Sequence, residues 1–156
     1  MKLRKADEGD CRDLWIWRNH PEVRRWSFDA GEIEYESHRA WFERTLKRKD
    51  VALYIAEDKA GEKIGQVRFA MGEDKSARIN INLNPNFFGK GLGNKIIGIA
   101  TAAFMKENTG VSQITAEVIK ENAASTKAFQ KAGYLFSRDI CKGDRGAAIF
   151  KFVRTK

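Results

Sequence analysis

Residues 77–94 read Ala77-Arg78-Ile79-Asn80-Ile81-Asn82-Leu83-Asn84-Pro85-Asn86-Phe87-Phe88-Gly89-Lys90-Gly91-Leu92-Gly93-Asn94. The first seven alternate, with Ala77, Ile79, Ile81 and Leu83 on one side of an extended chain and Arg78, Asn80 and Asn82 on the other. That is the two-residue period of a strand. Pro85 has no N–H for a further ladder bond, which suits the end of that strand. Past the glycines, Ile96, Ile97, Ala100, Ala103 and Phe104 recur at helical spacing as far as Met105, ahead of an Asn108-Thr109-Gly110 stop. A strand therefore runs through a glycine-rich turn into a helix N-terminus. Small residues there let backbone amides converge on an anion, and the first helical N–H groups add partial positive charge. The arrangement suits a phosphate. Its spacing is neither G-x-x-x-x-G-K-[ST] nor G-x-G-x-x-G, because Lys90 falls between glycines, and this weighs against nucleotide hydrolysis and hydride transfer. Taken alone, the three glycines serve equally well as a flexible turn capping a helix.

Working outward, residues 2–6 can form a strand, and residues 10–18 a short helix with Cys11, Leu14 and Trp15 inward, stopped by Asn19-His20-Pro21. Residues 34–46 read as a helix turning Ala40, Trp41 and Thr45 or Leu46 inward. Residues 51–57 and 63–70 alternate as a hairpin around Asp58-Lys59-Ala60-Gly61. After the glycine turn and its helix come a strand at 114–119 and a helix to Ala132 with Asn122 as N-cap and Gly133 as terminator. Strands at 134–138 and 147–153 complete the chain. Seven strands and four helices in mixed order specify one α/β (α+β) domain over residues 1–156, a central twisted sheet with helices on both faces.

Bulk properties narrow the function. At 156 residues the chain is about one average domain. No apolar run is long enough for a membrane span, and the basic residues at the start lead into Asp7, Glu8 and Asp10 instead of an apolar signal region, so the expected location is the cytoplasm. Cys11 and Cys141 are far apart, and His20 and His38 form no cluster with them, so neither a disulfide framework nor a metal site is implied. The 29 basic residues exceed the 21 acidic ones by 8, which biases the surface toward anions. Only Lys47-Arg48-Lys49 forms a basic run and no aromatic residues interleave with basic ones in an RNA-reading pattern, so nucleic acid is disfavoured relative to a ligand carrying several phosphates.

Two segments together resemble the GNAT acetyltransferases. Phe88-Gly89-Lys90-Gly91-Leu92-Gly93 matches both glycines of that family's Q/R-x-x-G-x-G/A pyrophosphate pattern, with Phe88 where Gln or Arg is usual. Asn122-Ala-Ala-Ser125-Thr-Lys-Ala-Phe129-Gln-Lys-Ala-Gly133-Tyr134 is similar to the family's N-x-x-S-x-x-x-Y-x-K-x-G-F segment. The resemblance implies a mixed, mostly antiparallel sheet whose fourth and fifth strands splay apart. It implies acetyl-coenzyme A as cosubstrate, with no metal. Its phosphates would sit on Phe88, Gly89, Lys90, Gly91, Leu92, Gly93 and Asn94, and its pantetheine arm along Asn82 to Pro85, beside Asn122, Ser125 and Phe129. The amides of Leu83 and Asn84 would stabilise negative charge on the acetyl oxygen during direct attack by an amine. The family often uses the tyrosine of its second segment to protonate the thiolate, and Phe129 cannot do so. Glu117 is the preferred base, with a solvent-facing strand glutamate as the alternative; Tyr134 is either a replacement acid or a packing aromatic.

The N-terminal third is similar to the branch holding ribosomal-protein alanine, polyamine and amino-sugar acetyltransferases, among them that of pseudaminic-acid biosynthesis. The segments that carry this are Leu14-Trp15-Ile16-Trp17-Arg18-Asn19-His20-Pro21-Glu22-Val23-Arg24-Arg25-Trp26 and His38-Arg39-Ala40-Trp41-Phe42, and the similarity to the amino-sugar enzymes rests on these together with Val67-Arg68-Phe69, Ile79 to Pro85 and Ala116-Glu117-Val118. The expected acceptor is the amine of a nucleotide-linked amino sugar, met by Arg18, Asn19, Trp26 and His38. Trp26 is equally suited to packing, and His38 to a buried, hydrogen-bonded role. Arg18, Arg24, Arg25 and Lys90 would supply cations for a diphosphate, where a polyamine enzyme would gather carboxylates. A protein N-terminus or a polyamine stays open as acceptor, as does a non-catalytic coenzyme-A-binding or nucleic-acid-binding module. A homodimer is also compatible with the sequence.

Overall fold

The computed structural model describes residues 1–155. Seven strands form: β1 (Lys2–Lys5), β2 (Val51–Glu57), β3 (Lys63–Met71), β4 (Ser76–Leu83), β5 (Gln113–Ile119), β6 (Leu135–Lys142) and β7 (Arg145–Val153). They make one sheet in the order β1-β2-β3-β4-β5-β7-β6. Neighbours are antiparallel except β4 and β5, which run parallel and so need a crossover. Their junction is short: Ser76, Ala77 and Arg78 pair with Gln113, Ile114 and Thr115, and then the strands part. β4 nevertheless keeps its ladder with β3 as far as Asn84, whose N–H donates to the Ile64 carbonyl at 2.8 Å. The sheet is therefore split by a wedge open toward the glycine turn.

Helices α1 (Cys11–Asn19), α2 (Pro21–Arg25), α3 (Tyr35–Lys47), α4 (Gly93–Glu107) and α5 (Ala123–Lys131) cover both faces. Cross-strand partners share a face, and Leu53, Arg68 and Asn80 stand in register across β2, β3 and β4. On that side Leu53 and Ile55 pack with Cys11, Leu14 and Trp17 of α1 and Phe42 of α3. The alternate residues, among them Tyr54, Phe69 and Ile79, form a larger core with Ile96, Ile97, Ala100 and Phe104 of α4 and with Phe129 of α5. Phe69 and Phe104 stack with ring centroids 4.3 Å apart. The small core is anchored at its edge by Asp10, whose buried carboxylate accepts two 2.8 Å hydrogen bonds from Arg4 and another from the Asp7 amide and lies 2.8 Å from Lys63 Nζ. β1, β3 and the start of α1 are thereby tied together.

Several local readings are corrected. Pro21 starts a second short helix, with its missing N–H at a position that needs none and His20 Nδ1 capping the Glu22 amide. Trp17, not Trp15, is the buried tryptophan of α1; Trp15 instead donates its indole N–H to the Ile33 carbonyl at 2.7 Å. In α3 the buried face is His38, Phe42 and Thr45, at spacings of four and three, and Ala40 is exposed. β6 runs on past Arg138 to Lys142 because its pairing with β7 continues although its side chains face solvent.

Candidate active site

One cavity of about 860 Å³ joins the two faces through the wedge. At one end lie Gly89, Gly91, Leu92, Gly93 and Asn94, with Asn122, Ser125 and Phe129 of the neighbouring α5 turn; at the other lie Arg18, Trp26, His38, Trp41, Gln66, Arg68 and Asn80; Glu117 stands between. The first end is made largely of backbone. Gly89 and Gly91 have φ of +73° and +69°, a left-handed conformation costly for any residue with a Cβ, and no atom would lie within 4 Å of a Cβ at either. The turn is open, and α4 begins at Gly93 with its first amides directed into it. Asn122 Oδ1 accepts the Ser125 amide at 3.1 Å and fixes the start of α5 beside it.

Along the wedge the ladder sorts the amides. The Asn84 N–H is spent on Ile64, so the two-residue period turns Ile81 and Leu83 toward the gap. Leu83 thus offers a free-facing amide and Asn84 does not. The Asn84 side chain is also committed, donating to the Lys63 carbonyl at 2.9 Å and accepting from Asn86 N at 3.0 Å. Glu117 projects from β5 on the α1–α3 face, its side chain 9% exposed, 2.7 Å from Lys142 Nζ and 3.2 Å from Arg78 Nη1. It is a cavity carboxylate held by two cations, not a solvent-facing one.

The other end is made of side chains. Arg18 donates through Nη2 to the Asp29 carbonyl at 2.7 Å, while its Nη1 is buried with no hydrogen-bond partner among the described residues. Burial pushes its pKa down, against the pull of Asp29. Arg68 stands over the Trp41 ring at 5.1 Å with no acceptor or carboxylate within bonding distance among the described residues. Burial pushes its pKa down too, with Arg78 and Arg48 adding like charge. His38 is buried, donates through Nε2 to the Cys11 carbonyl at 3.1 Å, and has its pKa lowered by burial and by Arg18, which leaves it neutral at neutral pH.

A family description, the acetyltransferase (GNAT) domain, matches residues 1–135. The chain belongs to the GNAT acetyltransferases. It is an N-acetyltransferase, and acetyl-coenzyme A is its acetyl donor. No curated protein sequence matches significantly. Among solved structures, the spermidine N-acetyltransferase of Vibrio cholerae in complex with coenzyme A and spermine is similar with a TM-score of 0.86 and 17% identity, over 97% of this chain and 94% of that one. The aminoglycoside acetyltransferase AAC(6')-Ib in complex with coenzyme A gives 0.83 and 21%, over 98% and 94%. At those identities they establish the shared fold. The GNAT donor fits these residues: the cradle at 89–94 is open where side chains would block it, and Leu83 aims an amide into the wedge.

Of the sequence-derived GNAT site residues, Leu83, Phe88, Gly89, Gly91, Leu92, Gly93, Asn94, Glu117, Asn122, Ser125, Phe129, Arg18, Trp26 and His38 all line the cavity. Four do not. Lys90 turns away, its ammonium 5.1 Å above the Phe87 ring. Asn84 has its polar groups bonded within the protein, as above. Asn19 both donates to and accepts from the Ile33 backbone, at 2.7 and 2.8 Å, and so shapes the loop before α3 without facing the cavity. Tyr134 is fully buried against Phe129 and Phe152, shares a 2.8 Å hydrogen bond with Thr101, and has its pKa pushed up by burial; it is the packing aromatic. Arg24 and Arg25 also stay outside, Arg24 on the Ala30 carbonyl at 2.9 Å and Arg25 over Trp26. Sequence reasoning missed Arg68, Gln66, Asn80 and Trp41 as cavity residues. The available signal was Val67-Arg68-Phe69, a lone cation in the middle of an otherwise buried strand.

Proposed function

We propose that this GNAT enzyme acetylates the primary amine of a nucleotide-linked amino sugar by direct attack. The observation that carries the reading is the single cavity crossing the sheet, with a phosphate-suited backbone cradle at one mouth and two unneutralised arginines at the other. Acetyl-coenzyme A supplies an activated thioester when bound. Phe88, Gly89, Gly91, Leu92, Gly93 and Asn94 would hold its phosphates, with Asn122, Ser125 and Phe129 beside the arm. The Leu83 amide donates to the acetyl oxygen as negative charge develops there. Glu117 accepts the proton that the attacking ammonium must lose, directly or through water. Phe129 and Tyr134 provide no acid, so water protonates the thiolate.

A polyamine is the second reading, favoured by Glu22, Asp29 and Glu117 on the cavity wall. It is the weaker one. Glu117 is already balanced by Lys142 and Arg78, and Asp29 Oδ1 accepts the Gly31 amide, whereas Arg18 and Arg68 lack counter-ions. The test is thiol release from acetyl-coenzyme A against amino-sugar nucleotides, spermidine and N-terminal peptides. Amino-sugar nucleotides should react with the highest kcat/KM. Reaction of peptides or spermidine without amino-sugar nucleotides overturns the acceptor assignment and leaves the enzyme class standing.

A further inference from the structure

The acceptor end contains a cationic device that the acetyl-transfer chemistry does not use. Arg18 and Arg68 come from different elements, α1 and β3, and both line the same cavity. Two aromatic rings of α3 line the same cavity: His38 and, 5.5 Å from it, Trp41, which lies beneath the Arg68 guanidinium. The same wall carries Gln66 and Asn80, which bond each other at 3.1 Å, so neutral amides and not carboxylates fill the space beside Arg68. What Asp29 gives Arg18 is its backbone carbonyl, while its carboxylate accepts the Gly31 amide. A buried guanidinium nitrogen without an acceptor is costly, and a cation left without a counter-ion in a cavity wall is costly again. Both costs are removed by one kind of ligand, an oxyanion entering from the acceptor side.

Coenzyme A does not meet that need. Arg68 is in register with Asn80, three residues before Leu83, about 10 Å back along β4 from the amide that faces the acetyl group. It also projects on the α1–α3 face, opposite the α4 core.

We infer that Arg18 and Arg68 form an oxyanion subsite that selects acceptor amines carrying a phosphate or carboxylate and rejects polycations. This rests on the acetyltransferase reading for its biological meaning, but the binding does not require turnover. The free Nη1 of Arg18 and the guanidinium fork of Arg68 supply several donors for the oxygens of such a group. The same positive field repels a second ammonium on a polyamine.

The test uses the full chain saturated with coenzyme A, so that the donor's own phosphates are already placed. Inorganic pyrophosphate is titrated in one arm and succinate in another, by calorimetry. At least one anion is expected to bind, and Arg18→Met and Arg68→Met are each expected to weaken it by about tenfold or more. Arg68→Lys should fall between, keeping the charge but losing the fork. Arg68→Met should melt no lower than wild type, since an unpaired partly buried charge is removed; if it does not fold, Arg18→Met decides alone. Arg68→Glu should raise the rate with spermidine relative to wild type. Binding of neither anion, or binding that survives both methionine substitutions, overturns the inference. Binding of succinate alone keeps the subsite and removes the nucleotide-sugar acceptor. Failure of coenzyme A to bind removes the donor assignment, and the same titrations on the free chain then decide the subsite.

Discussion

The two ends of the cavity are built from different materials. The donor end is backbone: a strand whose odd residues turn their amides into the wedge, glycines in left-handed conformations and a helix N-terminus. The acceptor end is side chain, assembled from α1, α3, β3 and β4 with arginines, aromatics and amides. Backbone sites are rigid and tolerate few residue types, so they suit a ligand that never changes. Side-chain sites are redrawn by single substitutions, so they suit the partner that differs between relatives. Substitutions can break this contrast or sharpen it.

The largest effect is expected at the donor end. Gly91→Asp places a carboxylate in the cradle and forces a side chain into φ +69°, so measurable coenzyme A binding should vanish while the fold persists. Undiminished affinity in calorimetry would mean that the turn is only a loop.

The acceptor end should prove dependent on one buried carboxylate. Burial alone would raise the Asp10 pKa, but hydrogen bonds from Arg4, Lys63 and the Asp7 amide overcome this and hold it at about 2, below the ordinary 3.8. A depressed carboxylate stabilises the fold above its unfolded pKa. That contribution is present above about pH 4 and should be lost as the pH falls toward 2. Asp10→Ala strands Arg4 and Lys63 and should cost about 3–5 kcal/mol by denaturant melting at pH 7, with most of the deficit relative to wild type gone at pH 2. A pH-independent deficit would assign the loss to packing instead.

Glu117→Gln, at the boundary between the two ends, should lower kcat by about 100-fold and leave coenzyme A affinity intact. An unchanged pH–rate profile would demote Glu117 to the salt-bridged strut that Lys142 and Arg78 make of it. The smallest effect is expected at Tyr134→Phe, which should cost about 1 kcal/mol of stability through the hydroxyl left on Thr101 and nothing in kcat. A fall in rate would return the phenol to the chemistry.

The same contrast explains what the sequence disclosed. The glycine turn was readable because backbone demands leave a mark on residue type within a few positions: period-two apolar residues, then Pro85, then three glycines. Asn122 was readable for the same reason, since a cap is a local requirement. Asn84 was misjudged because strand parity, fixed only by the partner strand, decides which amide of a neighbouring pair is free. The acceptor end was largely hidden. Asn19 and Arg24 sit in a segment rich in plausible contacts, and only the path of the loop to Ile33 shows that they bind the chain itself; Arg25 lies over its own neighbour Trp26. Arg68 is remote in sequence from everything it faces, and nothing local distinguishes it from a surface arginine except its apolar neighbours.

The two cores flanking the sheet are unequal, and cooperativity should follow their size. Six buried residues hold α1 and α3 to the sheet, whereas α4 is embedded in the larger cluster. Amides of the helices that carry the acceptor residues should therefore exchange with solvent deuterium through partial openings that leave α4 and its turn protected. The layer of α1 and α3 can breathe, and absorb substitutions, while the layer of α4 and its glycine turn remains folded.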